Sequence, residues 1–444
     1  MRSEYRKKGR RRREAPIILF FAIIIIVVLG FVIYQNTFRS ETGGDDIHAD
    51  YTPDMPPTHT PDIFVMEPEE PEETESEETE PPTTQPLVTP TPATPTPDIP
   101  TPATPTPTIQ TPEPENFYMQ EGGAFELPVN GASGYAAVPL QVYADPDANA
   151  VVVATLTPGQ GFTILNEVGD WWNIAVGDNE GWVLSRSCFI NLPDVVPSII
   201  YNIANAHSSV KRSSGYEIPN ITGYALYEAF AYNPRFGRYE FIVPVLYSTA
   251  KRVSAAQQAA LADGNTIIVY EAFRPMETQL SVAHSLQALA DSNPAVRNGI
   301  NVPPWGIGWF VAFGLSSHQR GSSIDATLGR VISYDTRTIG GFSYIQITDY
   351  DEFGMPTPMH ELSALAAILR YPVDSYSATG WIGIPLADTA TEGAILLRNY
   401  FTGAGFTPLA SEWWHFTDLE GSNVARGFGV AGDYFLFRNY SIEP

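Results

Sequence analysis

Cysteine is almost absent from this chain: Cys188 is the only one in 444 residues. A single thiol excludes an internal disulfide framework, and no His and Asn signature of a cysteine nucleophile surrounds it, so packing is its expected role. Positive charge is scarce as well, with 25 Lys and Arg against 50 Asp and Glu and a formal net charge of −25. Nucleic acid is thereby removed as a partner, because phosphate binding needs a basic surface. Beyond residue 8 the only lysines are Lys211 and Lys251. Histidine numbers 7, and two of these, His48 and His59, fall in a stretch too rich in proline to fold.

What positive charge exists is concentrated at the start, where residues 1–15 include Arg2, Arg6, Lys7, Lys8 and Arg10 to Arg13. An uninterrupted apolar run from Ile17 to Tyr34 follows, with no charge until Arg39. It is near the lower limit for a helix that spans a bilayer. No small-x-small cleavage site follows it, which sets a removable signal peptide aside. Residues 16–35 therefore read as a single transmembrane signal anchor, with the basic tail in the cytoplasm and the rest of the chain outside. Residues 41–115 read as a disordered linker rich in Pro, Thr and Glu, in which Thr-Pro-Ala-Thr-Pro-Thr-Pro occurs at 91 and again at 101. Such composition buries too little apolar surface to offset chain entropy and gives an extended spacer.

Residues 122–193 read as all-β. Leu140–Tyr143, Ala150–Leu156, Gly161–Leu165, Trp171–Val176 and Gly181–Leu184 are short apolar segments divided by turn residues such as Asp145-Pro146-Asp147 and Pro158-Gly159. Five strands in so short a stretch suggest a small barrel, with core packing expected for at least two of Trp171, Trp172 and Trp182. Residues 194–444 mix both periods and read as α+β. Helices are expected over 250–262, 276–292, 359–370 and 391–404, with a buried strand over 265–273.

Two short segments in this last region carry chemistry. Ser316-Ser317-His318-Gln319-Arg320-Gly321-Ser322-Ser323-Ile324-Asp325 and Ser411-Glu412-Trp413-Trp414-His415 supply two imidazoles, a carboxylate, and one carboxylate to spare. Three protein ligands and an open position are the inventory of a catalytic zinc site, in which the spare carboxylate would take a proton from water. Satisfied core or surface histidines are the plainer alternative. Positions three apart on a regular strand face opposite ways, so a metal shared by this set requires a turn or bulge near Trp413 and Trp414. His360-Glu361 opens a His-Glu-x-x-His pattern, but Ala364 stands where the second histidine belongs. Ser208-Ser209-Val210-Lys211 has the Ser-x-x-Lys spacing of a serine enzyme, yet neither later lysine opens a Lys-Thr-Gly.

Residues 133–193, with Leu-x-Val-Tyr, Leu-x-Pro-Gly, Trp-Trp-x-Ile and Glu-Gly-Trp-Val in order, resemble bacterial SH3 domains. That resemblance implies a barrel that binds peptidoglycan or accompanies a wall enzyme. Further on, Tyr270-Glu271-Ala272-Phe273-Arg274-Pro275, the His318 to Asp325 segment and Glu412 to His415 stand in one order. Together they resemble the M15 family of zinc D-alanyl-D-alanine peptidases, most closely its dipeptidase branch, over roughly residues 195–440. The resemblance implies Zn2+ on His318, Asp325 and His415, Glu412 as catalytic base, Arg274 stabilising the tetrahedral intermediate and Ser316 as a substrate-side hydroxyl. It implies stem peptides of peptidoglycan as substrates. The chain departs from the family at Ser323, usually Ala, and at His360, where the dipeptidases carry the Asp that receives a substrate ammonium. His360 and the adjacent Glu361 are thus the expected substrate-binding positions, with peptides blocked at the amino side as the expected substrates.

Overall fold

The computed structural model describes residues 119 and 123–444. The expected basic tail (1–15), signal anchor (16–35) and linker (41–115) lie outside the described residues. Among the described residues no helix is long and apolar enough to cross a membrane.

The first sheet is built from β1 (Ser133–Ala136), β2 (Leu140–Tyr143), β3 (Val152–Leu156), β4 (Gly161–Val168), β5 (Trp171–Val176), β6 (Asn179–Leu184) and β7 (Cys188–Asn191). Strands β2 to β6 fall on the five apolar segments of the sequence. Their alternation puts Val142, Phe162, Ile164, Trp172, Ile174 and Val183 into the core with no exposure. Trp172 alone of the three tryptophans is fully buried; Trp171 and Trp182 are half-exposed, Trp171 standing edge-on to Tyr143 at 5.6 Å. Cys188 is buried, and burial pushes its thiol up, in keeping with a packing role.

This sheet does not end at residue 194. Its edge strand is β13 (Pro244–Leu246), which pairs antiparallel with β7 through Val245 opposite Ile190. β13 leads directly into helix α1 (Tyr247–Ala262), whose first residue packs its ring against Trp172 at 4.8 Å. The C-terminal tail returns to the same sheet: Tyr135 donates to the Arg438 carbonyl at 2.7 Å, Tyr440 N–H to Ser133 Oγ at 2.7 Å, and Ile442 N–H to the Gly131 carbonyl at 2.7 Å. Barrel and remainder thus share one sheet edge and one hydrophobic core. Replacing Trp172 with Ala is expected to cost about 3–5 kcal/mol. Urea unfolding should show one transition for the whole unit, shifted as a whole; two separated transitions would show that the barrel folds alone.

The second sheet holds β17 (Thr407–Pro408), β18 (His415–Thr417), β15 (Ser323–Ile339), β14 (Asn265–Glu271) and β8 (Ile200–Tyr201) in that order, with β16 (Phe342–Glu352) also on β15. Only β8 and β14 run parallel, consistent with an α+β arrangement. Helices α1 and α4 (Glu392–Gly403) lie against it; α2 (Met276–Ser292) and α3 (Pro294–Ile300) follow β14, and α5 (Leu419–Phe428) follows β18. Local chemistry fixes their ends. Asn293 caps α3 by accepting from Ala295 N at 2.9 Å, with Pro294 at the first helical position. Asp418 caps α5 through Gly421 N at 3.0 Å, and Gly429 ends it in the left-handed region.

One expected helix is not there. Residues 359–370 hold only a single turn, Ala364–Ala366. Leu362, Ala366 and Leu369 are buried at a helix-like spacing, but the backbone bonds of the segment run sideways. Arg212 N–H donates to the His360 carbonyl at 3.1 Å and Leu362 N–H to the Arg212 carbonyl at 2.7 Å, while Ile368 and Leu369 both donate to the Ala410 carbonyl. His360 itself has φ of +60°, a conformation no α-helix passes through.

Candidate metal centre

The register of the second sheet assembles the site. Glu271 at the end of β14 stands opposite Asp325 on β15, after a bulge between Val269 and Glu271, and Asp325 stands opposite His415 on β18. Cross-strand neighbours project from the same face, so three ionisable groups line up across three strands. Trp413 and Trp414 form a turn before β18, with Glu412 N–H bonded to Leu409 and His415 N–H to the Glu412 carbonyl, each at 3.3 Å. That is the turn the strand period requires, and it puts Glu412 Oε2 3.9 Å from His415 Nδ1.

His318 arrives on a tight turn that ends at Gly321, whose φ is +64° and whose missing Cβ would lie 2.6 Å from the Phe189 ring. Only glycine meets both demands. His318 Nε2, His415 Nδ1 and Asp325 Oδ1 then converge: 3.2 Å between the two nitrogens, and 3.3 Å and 2.9 Å from them to the oxygen. Donors held about 2.0 Å from one tetrahedral ion lie about 3.3 Å apart, so the triangle has the size of a metal's coordination face.

The far side of each ligand is also engaged. His318 Nδ1 donates to the Ala272 carbonyl at 2.6 Å, which leaves Nε2 with its lone pair facing the triangle. His415 Nε2 lies 3.1 Å from Thr417 Oγ1, and Asp325 Oδ2 accepts from His360 Nε2 at 3.1 Å. Such partners fix ligand orientation and tautomer. Burial pushes Asp325 upward, but the imidazoles, His318 foremost, outweigh it and hold the carboxyl well below its usual range. Burial, helped by the Asp325 charge, lifts Glu412 well above the usual carboxylate range. A divalent ion fits this donor set.

The triangle opens on a pocket of about 310 Å³ whose walls include Arg274, Ser316, His318, Glu412 and His415. Ser316, half-buried, donates its hydroxyl to Gln319 Oε1 at 2.7 Å, and Gln319 in turn donates to the Arg274 carbonyl at 2.8 Å. Arg274 is 9% exposed; its Nη1 bonds Glu271 Oε2 at 2.6 Å and its buried Nε has no partner.

His360 and Glu361, the expected substrate contacts, are not brought to this pocket. His360 is fully buried behind Asp325, and burial, with Lys211 next, lowers its pKa to about 4, so the ring is a neutral prop for the ligand carboxylate. Glu361 turns the other way and accepts from the amides of Ser214 and Gly215, tying down the turn between β9 (Arg212–Ser213) and β10 (Tyr216–Glu217). The partnership of two groups, Glu271 and Lys211, escaped the sequence reading. Glu271 lies inside the Tyr-Glu-Ala-Phe-Arg-Pro segment, three residues before Arg274, where its spacing could have marked it. Lys211, 2% exposed, pairs its Nζ with Glu271 Oε2 at 3.1 Å, while Ser208 is exposed, so the Ser-x-x-Lys spacing forms no nucleophile pair. Glu271, Asp325 and His360 also group closely enough for an ion, but Lys211 and Arg274 already neutralise Glu271 there.

Residues 139–187 match the model of the bacterial SH3 domain. Over 197 residues the chain is 29% identical to the D-alanyl-D-alanine dipeptidase of Escherichia coli (strain K12), a match covering 44% of this chain and 72% of that protein. The chain is therefore similar to a peptidase.

Proposed function

We propose that this protein is a zinc metallopeptidase, anchored in a bacterial membrane with its folded part outside, that hydrolyses D-alanine-containing stem peptides of peptidoglycan. The observation that carries the reading is the convergence of His318 Nε2, His415 Nδ1 and Asp325 Oδ1 within 2.9–3.3 Å, with Glu412 and Arg274 on the same pocket. Bound zinc would lower the pKa of water to about 7 and polarise the scissile carbonyl. Glu412 takes a proton from the attacking water as its oxygen adds to the carbonyl carbon, then delivers it to the amine nitrogen as the C–N bond breaks. Arg274 directs N–H groups at the oxyanion that develops. The SH3-like sheet, on this reading, holds the pocket beside the wall polymer.

Mass spectrometry of products from purified wall peptides tests the proposal: release of D-alanine or D-alanyl-D-alanine, abolished by a chelator, is expected. Unchanged peptides after incubation with the zinc-loaded protein would refute it. Hydrolysis of free D-alanyl-D-alanine is the second reading, favoured by the dipeptidase match; the absence of an acidic side chain at His360 counts against it. Arg274→Lys should lower kcat by about a hundredfold, a loss of about 3 kcal/mol, with KM little changed. Steady-state kinetics showing a defect in KM alone would make Arg274 a ground-state anchor instead.

A further inference from the structure

The inner end of the pocket carries a charge that the metal site does not use. Behind Glu412 and Arg274 lies a small cavity of about 20 Å³, bounded also by Lys211, Asp325, His360 and Trp414. Lys211 Nζ and Arg274 Nη1 both bond the same oxygen of Glu271, at 3.1 Å and 2.6 Å. The other oxygen of Glu271 accepts from Asn205 Nδ2 at 2.6 Å and from the Tyr227 hydroxyl at 3.3 Å. Two cations therefore share one carboxylate, and the trio carries one surplus positive charge, set beside the Asp325 carboxylate that bounds the same cavity. Burial pushes Glu271 up, but Arg274 and Lys211 outweigh it and hold its pKa at about 2, so the carboxylate is ionised; burial lowers Lys211 against the pull of that carboxylate. Without Lys211 the remaining pair, Arg274 and Glu271, would be neutral overall.

We propose that Lys211 determines the substrate class of this pocket. Its buried ammonium adds one positive charge to the inner wall and so disfavours peptides whose reacting residue carries a free α-ammonium, relative to peptides acylated at that nitrogen. The inference rests on the peptidase reading above. In any peptide cleaved here the α-nitrogen is two bonds from the carbonyl carbon that lies between Glu412 and Arg274, the two residues that also wall the cavity. Like charges several ångströms apart in a protein cleft repel enough to change affinity on the order of tenfold to a hundredfold. Acylation removes the charge and with it the repulsion. A lysine kept buried on a carboxylate that already has Arg274 is otherwise an expensive duplication.

The test compares kcat/KM for N-acetyl-D-alanyl-D-alanine and free D-alanyl-D-alanine in the full, zinc-loaded chain, its Lys211→Met variant and its Lys211→Arg variant. Wild type and Lys211→Arg should favour the acetylated peptide, and Lys211→Met should shift the ratio toward the free dipeptide by about tenfold or more. Should Lys211→Met fail to fold, Lys211→Gln, which can still bond Glu271, is expected to shift the ratio in the same direction. A calorimetric titration of the two peptides in a Glu412→Gln background gives the same comparison without turnover. An unchanged ratio in a folded, metal-loaded neutral variant overturns the role of Lys211 while leaving the peptidase reading intact. If no variant binds or cleaves either peptide, the peptidase reading falls and this inference falls with it.

Discussion

Glu412→Gln is expected to keep the metal and lose turnover by about 10²–10⁴-fold, the range for removing a general base. The amide matches the carboxylate in shape, so the turn at Trp413 and Trp414 and the His415 position it supports should survive. What disappears is the ability to accept a proton. Glu412 is 8% exposed and burial raises its affinity for that proton, which favours its use as a base near neutral pH. Single-turnover kinetics alongside metal analysis of the purified variant provide the check. Retention of most of kcat would assign the proton transfer to another group.

Removing the ligands themselves should have the other large effect. A His318→Ala, His415→Ala double variant deletes both imidazole donors of the triangle and leaves Asp325 with His360 alone. Metal content should fall from one ion per chain to none, and hydrolysis with it. Stability supplies a second readout, because an ion that binds only the folded chain adds about 4 kcal/mol at a thousandfold excess over its Kd. The wild-type melting temperature should rise with added zinc and fall with a chelator, whereas the double variant should respond to neither. A variant that still carries a full zinc complement would place the ion elsewhere.

The parts of the site that could be read from sequence are those whose meaning is local. His318 and Asp325 flank a glycine turn within eight positions, Glu412 and His415 flank another turn, and the strand period demands the bend found at Trp413 and Trp414. The parts that could not be read depend on partners far away in the chain. The local Ser-x-x-Lys spacing points Lys211 to a different chemistry, because the Glu271 that gives it meaning is 60 residues on. The segment 359–370 shows helix-like spacing of buried residues, yet its carbonyls and amides are claimed by Arg212, Pro385 and Ala410. His360 and Glu361 follow the same logic: the neighbouring strand at Arg212, not the substrate, dictates where they point. Strands β2 to β6 of the first sheet were legible from their alternation, while β1, β7 and the pairing of β13 onto β7 were not, since register between distant strands leaves no trace in either one.

That pairing bears on how such a protein can be recombined. A module that is a bead on a string can be cut out and replaced by a relative. Here the recipient would lose the neighbour of β13, the aromatic wall under Tyr247 and the anchorage of Arg438, Tyr440 and Ile442 in one step. A functional graft would have to carry three separated pieces of chain, around 131–191, 244–247 and 438–442, as one inherited unit.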